Sequence, residues 1–395
     1  MSISTKVTDS LTRSSWIRKM FEEGDRLSKI HGADKVYDFT IGNPDLEPPV
    51  EFKNRLRELA NNPVPGMHKY MSNAGYPETR KAIAAHLNQE TGMNLTENNV
   101  VMTVGAGGGL NVVLKTILNP GEEVIVSAPY FVEYGFYTDN HGGKLVVVNT
   151  RPDFQLDPDA IEKVITPKTK AILINSPNNP TGVIYTEAVL NDLAKVIARK
   201  EAEFGSTIYL ISDEPYSGLV YDGVKVPPVL SIFDHSLVVT SHSKDLALPG
   251  ERIGYIAVSP KNPEVELFFD GLVFANRVLG FVNAPALMQR LIAELQGKVT
   301  GVEVYRERRD LLYNHLIANG FEVVKPQGAF YLFPKSPIPD DVAFIQSAVK
   351  YNLLLVPGTG FGAPGYFRIA YCVSKDTILN SFPAFTELAK EYQLK

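Results

Sequence analysis

Apolar runs of strand length recur along the middle of the chain, at Val100–Gly105, Val124–Ala128, Leu145–Asn149, Ala171–Asn175, Ile208–Ser212, Leu237–Thr240 and Ile253–Val258. Several of the stretches between them have helical period; in Thr186–Phe204, Val189, Leu193, Val196 and Ile197 fall on one face. Apolar strands alternating with helices predict a mostly parallel sheet covered on both faces. The pattern therefore predicts one large, doubly wound α/β domain with a sheet of about seven strands. A helix-rich connector from about Asn283 to Asn319 leads to further runs at Phe330–Phe333, Leu353–Val356 and Tyr366–Tyr371, and then to a last helix over Asp376–Tyr392. These predict a smaller α/β unit. Upstream, Met1 to about Lys35 reads as an arm and a first helix, with Ile17, Phe21 and Leu27 loosely on one face. The run Asp38–Ile41 is broken by Gly42 and Pro44, a strand end turning into a loop, and a helix is predicted from about Pro77 to Glu90. The expected division is residues 1–44 as arm and part of the smaller domain, 45–282 as the large domain, and 283–395 as connector and smaller domain.

Composition adds limits to this picture. With 395 residues, 44% hydrophobic and 21% charged, the chain can bury a substantial core without staples. Its one cysteine, Cys372, excludes an internal disulfide and a cysteine metal cluster, and suits a reducing compartment. Cytoplasm is the expected location, since the N-terminus lacks a signal-peptide core and no apolar run reaches membrane-spanning length. A net charge of −5 argues against nucleic acid, whose phosphate backbone needs a dense basic face. Small anions need only a few local cations.

Chemistry-bearing residues gather where the predicted strands end, the edge at which open α/β sheets bind ligands. Gly105-Ala106-Gly107-Gly108-Gly109-Leu110 ends the first run and opens a helical pattern. A glycine turn feeding a helix presents free N–H groups to an anion. Leu110 stands where a dinucleotide fingerprint needs its third glycine, and the second run ends Ser127-Ala128 without an acidic ribose reader, so a nicotinamide site is disfavoured. Ser176-Pro177-Asn178-Asn179-Pro180-Thr181-Gly182 follows another run; it is either a plain turn or one that aims Asn179 at a ligand. Asp213-Glu214-Pro215-Tyr216 follows the next, where Asp213 alone reads more readily as a helix cap than as a catalyst. The aromatic stretch Tyr130–Tyr137 reads mainly as core.

The stretch Ser241–Tyr255 carries most. Lys244 follows an apolar run and precedes Pro249-Gly250, with Ser241, Ser243 and Arg252 nearby. Alone it reads as a solvated loop lysine, but the setting suits an amine nucleophile beside a bound phosphate. Bringing its pKa from about 10.4 to near 7 costs roughly 4 to 5 kcal/mol, and a cation such as Arg252 helps supply the shift. Ser241 to Lys244 also spells S-x-x-K, but the companion motifs of serine acyl-enzymes are absent.

Taken in order, P-N-N-P-T-G, D-E-P-Y and S-x-S-K-x-x-x-x-x-G-x-R-x-G-Y, with the later Gln327-Gly328-Ala329-Phe330-Tyr331, Pro357-Gly358 and Phe367-Arg368-Ile369, give the chain a resemblance to class I/II pyridoxal-phosphate aminotransferases of fold type I, from roughly Asp38 to Cys372. The resemblance implies that Lys244 holds pyridoxal 5′-phosphate as a Schiff base and later moves a proton between Cα and C4′. It implies that Asp213 pairs with the pyridinium nitrogen, that Asn179 and Tyr216 bond the ring oxygen, and that Tyr130 stacks on the ring. Ser241, Arg252 and the Ala106 and Gly107 amides would hold the phosphate, with Tyr70 entering from the second subunit of a homodimer. Arg368 would clamp the substrate α-carboxylate through paired hydrogen bonds, with a backbone N–H of Gly42 beside it.

The departures bear on substrate. Ala106-Gly107-Gly108 leaves the phosphate turn without a side-chain donor, and Gly107 cannot reach a second carboxylate as a lysine does in some relatives, which counts against aspartate specificity. Arg277, the only charged residue between Gly271 and Met288, is either a reader of acidic substrates or a surface arginine. The expected function is amino transfer from an L-amino acid to a 2-oxo acid, with 2-oxoglutarate and glutamate as one pair. A carbon–sulfur β-lyase on the same scaffold, or a non-catalytic cofactor-binding regulator, stays open. The donor side chain, the preferred oxo acid and the pathway are not legible.

Overall fold

The computed structural model describes residues 3–13, 23–24, 26–27, 29–30 and 32–394. Ile17 and Phe21, placed by the sequence on a first helix, lie outside them; Leu27 is buried with Val36 and Leu354.

All the apolar runs of the middle region are strands: β2 (Val100–Thr103), β3 (Glu123–Ala128), β4 (Lys144–Asn149), β5 (Thr169–Asn175), β6 (Tyr209–Asp213), β7 (Ser236–Ser241) and β8 (Gly254–Val258), following a short β1 (Tyr37–Asp38). β2 to β8 form one sheet in the order β2-β8-β7-β6-β5-β3-β4. Pairs among β3 to β7 are parallel, whereas β8 runs antiparallel to β2 and β7. The cause is local: the segment 242–253 holds only a turn of 3₁₀ helix at Pro249–Glu251, and without a crossover helix the chain must fold back. Lys244 lies in that return, over the carboxyl edge of the sheet.

Alternate strand residues face two separate cores. Val101, Val126, Leu173, Ile211 and Val239 pack with Leu110 and Val113 of the helix Gly105–Ile117. Met102, Ile125, Ile172, Leu210 and Val238 pack with Leu190 and Leu193 of the helix Glu187–Phe204. That is why the strands read as continuously apolar. Thr186 caps the second helix by accepting from the Val189 N–H at 3.3 Å, so the helix begins where the sequence placed it.

The smaller unit holds an antiparallel sheet of β9 (Tyr331–Leu332), β11 (Val356–Pro357) and β12 (Phe367–Ala370), in the order β11-β12-β9, and a parallel pair of β1 with β10 (Leu353–Leu354). The expected single strand Leu353–Val356 thus divides between two sheets at Leu355. The connector also divides. Met288, Leu291 and Leu295 pack into the large core, while Tyr305, Leu312 and Leu316 join Phe39, Phe330, Phe367 and Ile369 in the core of the smaller unit. Among the described residues no helix is long and apolar enough to cross a membrane.

Candidate active site

Adjacent strand ends set the floor of the site. Asn175 and Asp213 are register partners at the ends of β5 and β6. The Asn175 side chain donates to the Asp213 carbonyl at 2.8 Å and accepts from the Asn179 N–H at 2.6 Å, fastening the polar turn to the sheet. Asp213 is buried. Its Oδ2 accepts from the Tyr134 hydroxyl at 2.6 Å, while its Oδ1 is buried without a partner among the described residues. Burial pushes the carboxyl up to about 7, partly opposed by the Tyr134 hydrogen bond.

Lys244 reaches across to the smaller unit. Its Nζ donates to the Gly42 carbonyl at 2.7 Å and lies 5.4 Å from the centre of the Phe330 ring. Burial brings its pKa down to about 8, with Arg368 and Arg252 acting in the same direction. Arg252 contributes as the sequence suggests, but removal from water is the larger cause. An amine in this state is a competent nucleophile near neutral pH.

Arg368, on β12, is 6% exposed. Nη1 donates to Asn179 Oδ1 at 3.0 Å and Nη2 to the Thr40 carbonyl at 2.6 Å. Its Nε has no partner among the described residues, and the rings of Tyr331 and Phe361 lie 4.7 and 4.9 Å away. Among the described residues each hydrogen bond it makes goes to a neutral acceptor, which leaves a buried positive charge suited to a ligand anion. The hydroxyls of Tyr216 and Tyr331 are 2.9 Å apart. A Cβ at position 42 would overlap the Tyr331 hydroxyl, so only glycine fits there. The contact seen at Gly42 is through its carbonyl, to Lys244, rather than through its N–H.

The far end of the floor could hold an anion. The helix Gly105–Ile117 starts directly after β2, with Gly105 at φ +70° and a Cβ there only 2.8 Å from Arg252 Nη2. The guanidinium therefore lies against the start of the helix, where the first N–H groups of Ala106 and Gly107 are free of intrahelical partners. Arg252 Nη1 donates to the Pro249 carbonyl at 3.0 Å, and Ser241 Oγ donates to Ser243 Oγ at 3.0 Å. The Tyr137 hydroxyl is 2.9 Å from a Cβ built at Gly107, above the same turn.

The structure thus gathers Gly42, Asn179, Asp213, Tyr216, Ser241, Lys244, Arg252, Arg368 and the Ala106–Gly107 turn into one site. Tyr130 sits at its margin: its N–H bonds the Phe361 carbonyl at 3.1 Å, and a Cβ at Gly362 would be 2.9 Å from its ring. The neighbouring Phe131 meets the Tyr134 ring edge-on at 5.5 Å, and so stands next to the partner of Asp213. Tyr70 is 90% exposed. Arg277 is exposed, 5.5 Å from the Phe274 ring. Asn175, Tyr134 and Thr40 were not singled out by the sequence, and Tyr331 was quoted only within a motif, without a role. Tyr134 was absorbed in an aromatic stretch read as core, and Thr40 acts through its backbone, which no side-chain pattern reveals.

Pyridoxal phosphate fits this arrangement. It needs an amine for its aldehyde, a carboxylate for its ring nitrogen, donors for its ring oxygen and a cradle for its phosphate. Lys244, the unpartnered Asp213 oxygen, the Tyr216 and Asn179 side chains, and the Gly105–Gly107 turn with Arg252 offer these in turn.

Comparison with known proteins points the same way. Residues 34–381 match the family model "Aminotransferase class I and II". The chain is 35% identical over 364 residues to an aspartate/prephenate aminotransferase of Thermus thermophilus, spanning 90% of this chain and 91% of the relative. It is 30% identical over 395 residues to aromatic-amino-acid aminotransferase 2 of Thermococcus litoralis, at 97% and 98% coverage. Among solved structures, an amino transferase from Eubacterium rectale superposes with a TM-score of 0.96 at 39% identity, covering 99% of both chains. A buried amine, an unpartnered carboxylate oxygen and a buried guanidinium on this fold agree with those matches, and the chain belongs to the class I and II aminotransferases, pyridoxal-phosphate enzymes that move amino groups between amino acids and 2-oxo acids.

Proposed function

We propose that the Lys244 cluster is the active site and that its two halves divide the work between cofactor and substrate. The observation that carries this reading is the buried Arg368, bonded among the described residues only to neutral acceptors, standing across from the Lys244 amine whose pKa burial lowers to about 8. Lys244 would anchor the cofactor and, once released, move a proton between the substrate Cα and the cofactor C4′. Asp213 would hold a proton on the ring nitrogen through its free Oδ1, with Tyr134 keeping the carboxylate in place. Tyr216 and Asn179 would donate to the ring oxygen, and the ring would lie against Phe131 or Tyr130. Ser241, Arg252, the Ala106 and Gly107 amides and Tyr70 of a second copy would bind the phosphate. When bound, pyridoxal phosphate supplies an electron sink for the charge left at Cα. Arg368 would fix the α-carboxylate shared by amino acids and 2-oxo acids, which aligns the Cα–H bond for Lys244.

We infer a homodimer, supported by the exposure of Tyr70 and by Leu267, Phe274 and Val278, which are 70%, 56% and 48% exposed on the helix Val265–Val278. The free, buried Cys372 is compatible with the cytoplasm. The packing of Leu295 and Tyr305 into different cores supports a boundary between large and smaller domains within residues 296–304, later than 282. Glutamate and 2-oxoglutarate are proposed as one substrate pair. For the other donor, the lack of a cationic side chain in the Gly105–Gly109 turn favours a neutral or aromatic side chain over aspartate.

The test is rapid-scan absorbance of the purified protein with pyridoxal phosphate, challenged with single amino acids and assayed for ammonia. Loss of the lysine-bound cofactor band without ammonia, restored by a 2-oxo acid, is the expected result and names the donor. Ammonia with pyruvate from cysteine-type substrates would indicate a lyase, and no covalent band at all would favour a regulator.

A further inference from the structure

We propose that Tyr331 is a positioning residue for amino transfer: its hydroxyl orients Tyr216 as donor to the cofactor ring oxygen, and its ring sets the plane of the Arg368 guanidinium. The inference rests on the reading that Lys244 carries pyridoxal phosphate. Tyr331 touches Tyr216 of the cofactor half, Arg368 of the substrate half and the Gly42 turn.

Three contacts converge on this side chain. The Tyr331 hydroxyl lies 2.9 Å from that of Tyr216, its ring lies 4.7 Å from the Arg368 guanidinium, and its hydroxyl fills the space that a Cβ at position 42 would take. It is 2% exposed and held in β9, paired with Ala370. Burial pushes the Tyr331 hydroxyl up to about 12 and raises Tyr216 well above the ordinary phenol range, so both keep their protons. Each hydroxyl has one proton to give. When Tyr216 gives its proton to the ring oxygen, its lone pair is left to accept, and Tyr331 is the hydroxyl in place to donate there. A donor chain of this kind polarises along its length and makes Tyr216 a stronger donor.

The consequence can be read in the cofactor's absorbance. The ring oxygen and the Lys244 nitrogen compete for one proton. Strong donation to the oxygen withdraws its negative charge, and the nitrogen then loses its proton at lower pH. Weakening the donor chain raises that midpoint.

Tyr331→Phe removes the hydroxyl and leaves the ring over Arg368. The expected result is full cofactor loading, an unchanged melting temperature within a few degrees, a midpoint raised by about half to one pH unit, and a KM for the amino donor within about twofold of the parent. Tyr331→Leu removes the ring as well, and should add a rise in KM of roughly two- to thirtyfold through the lost guanidinium contact. In a Tyr216→Phe background, Tyr331→Phe should add no further shift of the midpoint. An unchanged midpoint in Tyr331→Phe, or an equal shift persisting without the Tyr216 hydroxyl, would overturn the proposal. If the parent protein shows no lysine-dependent absorbance band, the active-site reading itself has failed instead.

Discussion

The half of the site on the large sheet and the half on the smaller unit are held by different means. Asn175, Asp213 and Ser241 end neighbouring strands of one continuous sheet, and Lys244 follows three residues later, so strand register fixes their spacing. Arg368, Tyr331 and the Thr40–Gly42 segment sit on or beside strands of two to four residues. They are held by contacts that cross between units: Lys244 to Gly42, Arg368 to Asn179, and Tyr216 to Tyr331. The first half is rigid by secondary structure, the second by mutual hydrogen bonding. The charges divide in the same way, with an unpartnered carboxylate oxygen in the sheet half and a buried guanidinium in the other. The contrast supports the proposed division, in which the first half would hold the cofactor and the second would admit the substrate.

Substitutions on the two sides should therefore fail differently. Lys244→Ala removes both anchor and base, and should lower kcat by at least about 10⁴-fold and abolish the covalent absorbance band; turnover near the parent level would break the division. Asp213→Asn leaves the anchor but removes the charge at the ring nitrogen, and should cost about 10²–10³-fold in kcat with the band retained. Arg368→Lys keeps a positive charge but loses the two-pronged geometry, so KM for amino and oxo acids should rise roughly ten- to a hundredfold while the cofactor spectrum stays unchanged. A spectral change there would mean that the two halves are not separable.

The smallest expected effect concerns stability without cofactor. Asp213 is raised from 3.8 to about 7 and Glu214, bonded to Ser212, from 4.5 to about 8, both chiefly by burial. Between those values the folded chain binds more protons than the unfolded one. Each group therefore contributes stability that is fully present below its unfolded pKa and is lost as pH rises through the folded value. The melting temperature of the cofactor-free protein should fall from about pH 5 to pH 8, with a slope of up to about 1.4 kcal/mol per unit from each group. Glu214→Gln should flatten its share whether or not cofactor is present, whereas the Asp213 share should disappear on adding pyridoxal phosphate. A flat profile in the parent would remove the claim that these carboxyls are stressed in the empty fold.

The succession of strands along the chain and most element bounds were written in the sequence, because unbroken apolar runs and helical spacing are local properties; their order within the sheet was not. The motifs likewise marked Lys244, Asp213, Asn179 and Arg252, since each follows or ends a strand or lies in a recognisable turn, and Arg368, which lies inside β12 and was marked by its motif alone. What no local pattern encodes is contact between distant segments. Tyr134 looked like core until its hydroxyl proved to hold Asp213, 79 residues away. Thr40 and Gly42 act through carbonyl groups common to every residue. Tyr331 gains its meaning from Tyr216, Arg368 and Gly42, which meet it only when the smaller unit closes over the sheet edge. The split of Leu353–Val356 between two sheets has the same origin, because pairing partners are chosen by packing rather than by strand propensity. Sequence by itself determined a mostly parallel sheet, the glycine turn and the lysine-bearing segment. Tertiary structure alone decided which groups are stripped of water and which are left without a partner, and those two conditions set the charge and reactivity of the site.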